Sequence, residues 1–286
     1  MNPEQADFVG FRHQEAEYKL NKKVLDSENP QNPVRANEQD FITDLTEKGK
    51  QEAHLQAEKF FENFDSASDT FFFVSSDFVR AAETAKIYLN VAEKRGFEII
   101  TPDKPGSRTV ESVGDGKIKH LQNLSLKIDN ALVDQLFNHK TDYLKLALER
   151  GVSFDDDLVN RWKQARKIIE EDNKGTWSEN WRYHSDEIKK IVPEITTARK
   201  MFDTQFKNLT RLMEFGKKKI EASNNPKKIR VLAFTHENLF THWLSERWGE
   251  PGLNLGESVS FYHDPENNLR ANVREKDGFA IENKIQ

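Results

Sequence analysis

Arginines and histidines stand just past the ends of apolar runs in this 286-residue chain. Arg12 and His13 close the run Phe8-Val9-Gly10-Phe11, and His236 follows Val231-Leu232-Ala233-Phe234 after one threonine. Arg80 lies in Ser75-Ser76-Asp77-Phe78-Val79-Arg80-Ala81-Ala82-Glu83-Thr84-Ala85, directly after Phe71-Phe72-Phe73-Val74. Short apolar runs of this length read as buried strands. Open α/β sheets bind their ligands at the carboxyl ends of such strands. Arg12, His13, Arg80 and His236 gathered there suit an anionic, phosphorylated small molecule.

The elements that must carry these residues follow from periodicity. Residues 7–12 and 70–75 read as strands, and 46–65 as a helix with Ala53, Ala57, Phe60, Phe61 and Phe64 at helical spacing. Thr46 or Asp44 can cap that helix. A second helix is expected over 78–93, and a short strand over 97–100. The stretch 13–43 is polar and punctuated by Pro30 and Pro33, which predicts a long loop. Such loops in compact domains are often functional. Punctuation dominates 102–128, helices are expected over 130–150 and 155–172, and 174–181 reads as a turn-rich aromatic segment. A long helix fits 194–222, with Phe202, Phe206, Leu209 and Leu212 as its apolar stripe. Strand 229–234, helix 237–248, strand 258–263 and a hairpin over 268–283 complete the chain. Strands and helices alternate at both ends, which argues for an α/β sandwich. The helical middle reads as an insertion or cap.

Composition narrows the function classes. A net charge of −5 argues against a nucleic-acid binder, which needs a basic face. With no cysteine in the chain, disulfides, thiolate catalysis and thiolate-ligated zinc are excluded. His236, Glu237 and His242 lack the spacing of a zinc-protease helix, because Phe240 stands where the second histidine would be. A zinc site at these residues is therefore not expected. Neither a signal peptide nor an apolar run long enough for a membrane span is read from the chain, so a cytoplasmic protein that binds neither membrane nor nucleic acid is expected. Oligomeric state is not readable.

Taken together, these residues resemble the histidine phosphatase superfamily, the phosphoglycerate-mutase-like branch that carries an Arg-His motif. The family's first motif is Arg-His-Gly after strand one; here it is Arg12-His13-Gln14. Its second, Leu-Thr-x-x-Gly opening a helix, is Leu45-Thr46-Glu47-Lys48-Gly49. Its third, Ser-Ser-x-x-x-Arg-Ala-x-x-Thr-Ala, is matched by residues 75–85. Its fourth, a histidine ending a late strand, is Thr235-His236. Each alone is weak, but their order and their places at element boundaries make the resemblance specific over about half the chain. It implies a three-layer α/β/α sandwich with a mostly parallel central sheet. The chain would be one domain over 1–286, in which 102–228 holds a mostly helical insertion.

The resemblance also implies roles. His13 would be the nucleophile of a metal-independent phosphatase that passes through a phosphohistidine. Arg12 and Arg80 would hold phosphoryl oxygens, with His236 adding a hydrogen bond. Gln14 would lie at the phosphate. The proton donor to the leaving oxygen would be Glu111 or Glu237. Two departures stand out: Gln14 replaces the family's glycine, and Glu237 follows the second histidine where relatives have glycine or aspartate. A phosphomutase of the same fold, or a non-catalytic phosphate-ester-binding protein, would share the pattern.

Overall fold

The computed structural model describes residues 6–16, 45–76, 79–101, 116–120, 156–172, 174–175, 177–195, 197–222, 225–274 and 276–280. The chain begins with β1 (Phe8–Arg12), α1 (Glu47–Phe61), β2 (Asp69–Ser75), α2 (Val79–Lys94), β3 (Glu98–Ile99) and β4 (Ile118–His120). Four helices follow: α3 (Asp156–Glu171), α4 (Trp177–Tyr183), α5 (Ser185–Ile191) and α6 (Ala198–Glu221). Then come β5 (Lys228–Thr235), α7 (Asn238–Thr241) running into a π-helical turn (His242–Arg247), β6 (Ser258–His263), β7 (Leu269–Val273) and β8 (Lys276–Ala280).

These strands form one sheet in the order β3-β2-β5-β1-β6-β7-β8, with β4 beside β3 on the outer edge of β2. The β1–β5, β2–β5, β2–β3 and β2–β4 pairs are parallel. The β6–β8 edge is antiparallel, so the sheet is mostly parallel, as expected. Its two faces follow from strand alternation. Val9, Phe11, Phe73, Leu232 and Phe234 pack on one side with Ala57 and Phe61 of α1 and Ala85 and Tyr88 of α2. Phe8, Val74 and Ala233 pack on the other with Phe206 and Leu209 of α6, Leu239 and Phe240 of α7, and Trp243. Helices on both faces of a central sheet make the α/β sandwich. Among the described residues, no helix is long and apolar enough to cross a membrane.

The strand entrances are fixed by a buried ion pair. Arg230 Nε meets Asp69 Oδ1 at 2.7 Å, and Arg230 Nη1 donates to the Ala6 carbonyl at 2.6 Å. This ties the first residues of β2 and β5 to the chain entering β1.

Some expectations changed. The segment read as turn-rich contains α4: Trp181 is fully buried and Asn180 Nδ2 donates to the Ile169 carbonyl at 3.2 Å, closing the end of α3. Tertiary burial there overrides the turn propensity of Ser178 and Asn180, while Gly175 keeps its bend before the helix. Neither α5 nor β4 was anticipated. Helix 130–150 and most of the 13–43 loop lie outside the described residues, as do the side chains of Phe202 and Leu212.

Gly10 explains why the first apolar run contains a glycine. A Cβ there would sit 2.4 Å from Cζ of Phe240, a buried ring of α7. Gly10→Ala is expected to destabilise the protein by about 1–3 kcal/mol through overpacking. Chemical denaturation followed by far-UV circular dichroism measures it, and an unchanged midpoint would contradict the packing described.

Candidate active site

The parallel register brings the strand ends together. Arg12 of β1 pairs with Thr235 of β5, and Ser75 of β2 pairs with Phe234. The ladder continues one residue further: His13 N donates to the Thr235 carbonyl at 3.0 Å, and Ser76 N to the Phe234 carbonyl at 2.9 Å. His13 and Ser76 are therefore fixed by backbone bonds just beyond β1 and β2, and His236 follows Thr235 at the end of the β5 strand between them. The imidazoles of His13 and His236 lie 5.1 Å apart between centroids, inclined at 65°. Arg80 enters from the first turn of α2. Arg12, His13, Arg80, His236 and Glu237 are all buried.

The partners of His13 decide its protonation. Nδ1 lies 2.7 Å from the Gln14 carbonyl, which can only accept, so Nδ1 carries the proton. Nε2 receives the Arg80 Nε–H at 3.1 Å, and a guanidinium can only donate, so Nε2 presents a lone pair. His13 is thus a neutral imidazole with its unprotonated nitrogen beside a permanent cation. Ser76 Oγ lies 2.9 Å from His236 Nε2 and orients that ring.

Arg12 meets a different environment. Its Nη1 lies 3.0 Å from Glu237 Oε2 and donates to the Leu253 carbonyl. Its Nε is buried with no hydrogen-bond partner among the described residues. A buried donor left unmatched is costly, and an anion's oxygen is the kind of group that would satisfy it.

Gln14 supplies its carbonyl to His13 and turns its side chain elsewhere. Its Nε2 donates to Gln56 Oε1 of α1 at 2.6 Å, and its N donates to Thr84 Oγ1 at 3.3 Å. The amide lies so close to Gly256 that a Cβ there would be 2.1 Å from Nε2. The side chain that replaces the motif's glycine is thereby held in the layer between β1 and α1, with Gln56 and Gly256 as its neighbours. Glu111, the other carboxyl expected here, lies outside the described residues.

The second and third motifs have structural work at this site. Thr46 caps α1 by accepting from Gly49 N at 2.9 Å, and its hydroxyl donates to Glu15 Oε1 at 3.0 Å. Gly49 is needed because a Cβ there would meet the Glu15 carbonyl at 2.2 Å. Glu83 Oε2 accepts the Leu45 N–H at 2.9 Å, so α2 holds the start of α1 against the chain leaving His13. Residues not singled out from sequence also belong here. Ser76 was visible as the second serine of its motif; Glu179 of α4, whose Oε1 accepts the Gly252 N–H at 2.8 Å, carried no local signal.

No family model matches the chain, and no curated protein matches it. Among solved structures it is similar to a phosphoglycerate mutase from Bacillus anthracis str. Sterne, at 14% identity over 97% of this chain and 94% of that one, with a TM-score of 0.42. It is also similar to an alpha-ribazole phosphatase from Shigella flexneri, at 12% identity over 96% and 99%, with a TM-score of 0.44. A mycobacterial glucosyl-3-phosphoglycerate phosphatase is similar at 12% identity over 96% and 99%, with a TM-score of 0.40. These likenesses span nearly the whole length of this chain and of each neighbour.

The loop that carries Leu253 is held by Arg274. This side chain donates to the carbonyls of Pro251 at 2.8 Å and Gly252 at 2.7 Å, and meets Glu257 Oε2 at 2.6 Å. Partial burial opposes the charge on Glu257, but hydrogen bonds from Arg274 and Asn254 prevail and hold its carboxyl below the usual 4.5. A depressed folded-state pKa contributes stability that is present above the unfolded value and lost as pH falls through the folded one. Glu257→Gln is expected to flatten the loss of melting temperature below about pH 4.5, measured by thermal scans across pH in both proteins. An identical acid slope would contradict the role given to this pair.

Proposed function

We propose that this protein is a metal-independent phosphomonoesterase acting on a small phosphorylated substrate through a phosphohistidine on His13. The observation that carries the reading is the neutral His13 ring with its Nε2 lone pair beside Arg80. An in-line nucleophile must be unprotonated at the attacking nitrogen. The phosphoryl group would take over donors of Arg80 and the buried Nε–H of Arg12, which supply charge neutralisation and positioning, the main needs of phosphoryl transfer. His236, oriented by Ser76, would add a hydrogen bond to a third oxygen.

The chemistry then has two steps. Nε2 bonds to phosphorus as the P–O bond to the leaving group breaks, and a carboxylic acid protonates the departing oxygen. Water then attacks the phosphohistidine, returns a proton to the carboxylate, and releases inorganic phosphate and neutral His13. Of the two candidate acids, Glu237 is the one with a described place, beside Arg12. A dianionic substrate arriving next to it would favour its protonated form. Such an enzyme would work without any cofactor.

The ion pair also favours a second reading. Glu237 already engages Arg12, and a site kept in that state would bind phosphate esters without turning them over.

Hydrolysis of an aryl phosphate in the presence of EDTA tests the proposal. Wild-type turnover is expected to survive the chelator, and His13→Ala to lose more than about a thousandfold in kcat. Undiminished turnover in that variant would sink the mechanism. Phosphate-ester binding without turnover in either protein would favour the binder, and a positional isomer in place of inorganic phosphate from a phosphorylated sugar or glycerate would indicate a mutase. For Glu237→Gln, kcat is expected to fall about a hundredfold with an alkyl phosphate, whose leaving group needs a proton, and far less with an aryl phosphate. Equal losses on both substrates would remove Glu237 from the acid role.

A further inference from the structure

Pro251 has no N–H, so Gly252 provides the first amide donor of the loop that faces Arg12. Gly252 and Leu253 are buried, and a buried amide requires an acceptor. That acceptor comes from far away in the chain: Glu179 Oε1 of α4, at 2.8 Å. The next carbonyl, Leu253 O, accepts from Arg12 Nη1. Around Gly252 the two carboxylates converge. A Cβ built there would lie 3.5 Å from the carboxyl carbons of both Glu179 and Glu237, and Glu237 is the ionic partner of Arg12. Arg274 holds the same segment from its carbonyl side, on Pro251 O and Gly252 O. The loop is thus suspended between a cation on its carbonyls and a carboxylate on its amide.

From this geometry we infer that Glu179 is a positioning residue for the phosphate-binding arginine. It acts through Gly252 and Leu253, so that the helical segment between β4 and β5 sets where the Arg12 guanidinium stands. The inference rests on the proposed reading of the site as a phosphate pocket. A plain docking role is the competing explanation, because α4 is also tied down elsewhere: Arg182 Nη2 donates to Ser245 Oγ at 2.8 Å. A docking bond would affect stability. A positioning bond affects anion affinity, and only when Arg12 is there to be positioned.

The experiment is a double-mutant cycle on the full chain, read by calorimetric titration with inorganic phosphate. Glu179→Met keeps an unbranched side chain of similar length and removes the acceptor. Glu179→Gln keeps an acceptor oxygen. Arg12→Lys keeps a positive charge opposite Glu237 and removes the planar fork. Glu179→Met is expected to weaken phosphate binding about tenfold in the wild-type background and less than about twofold in the Arg12→Lys background. Glu179→Gln is expected to stay within about twofold of wild type. Equal losses in both backgrounds, or a lower melting temperature with unchanged phosphate affinity, would overturn the inference and leave the phosphate-pocket reading standing. Wild-type protein that binds no phosphate would overturn that reading and this inference with it.

Discussion

The site depends on the register of three adjacent parallel strands. A backbone ladder that runs on past β1, β5 and β2 places His13, His236 and Ser76 side by side before any side chain acts. A one-residue slip of β1 against β5 would turn Val9 and Phe11 away from the aromatic layer and Phe8 into it. Register is therefore enforced by the core and not by the site. Phe11, Phe60, Tyr88 and Phe234 form a contiguous ring cluster on that side, with Phe11 and Phe234 stacked 4.9 Å apart. The ion pair Arg230–Asp69 pins the opposite ends of β2 and β5. Precision where the chemistry would occur is thus supplied by hydrophobic packing and one buried charge pair at a distance.

Against that rigid frame, the polar groups of the site are arranged by opposites. His13 faces a guanidinium on one ring nitrogen and a carbonyl on the other. Arg12 faces a carboxylate and a carbonyl, which compensates a buried cation that would otherwise be costly to hold in the interior. One arginine thus borders His13 while the other is balanced by Glu237. The two guanidinium groups are therefore not equivalent, although the spacing of the motifs gives no hint of it.

Much of this was legible before the structure. The apolar runs place strand ends correctly because buried parallel strands read as continuous hydrophobic stretches. Leu45-Thr46-x-x-Gly49 was legible as a cap, but the reason for Gly49 was not: it is a carbonyl of Glu15, which no local pattern reports. Gln14 looked like a pocket residue because it follows His13. Its side chain instead answers to Gln56 and Gly256, partners distant in sequence. Glu179 was invisible for the same reason, since its partner Gly252 lies 73 residues on. Alternation and caps are local and can be read; hydrogen bonds across long loops belong to the tertiary fold and cannot.

Helices α3 to α5, with the first turn of α6, possess a core of their own. Trp162, Trp181, Ile169, Ile188 and Ile195 form a cluster separate from the two that line the sheet. A body with a private core can open as a cooperative unit while the rest of the molecule stays closed, at a free energy below that of global unfolding. Amide hydrogens of α3 to α5 would then exchange with solvent in a regime of their own. Each such excursion would carry Glu179 off the Gly252 amide while the strand ladder kept its protons. The molecule would thus combine a slow-breathing framework with a faster-breathing helical body beside its arginine.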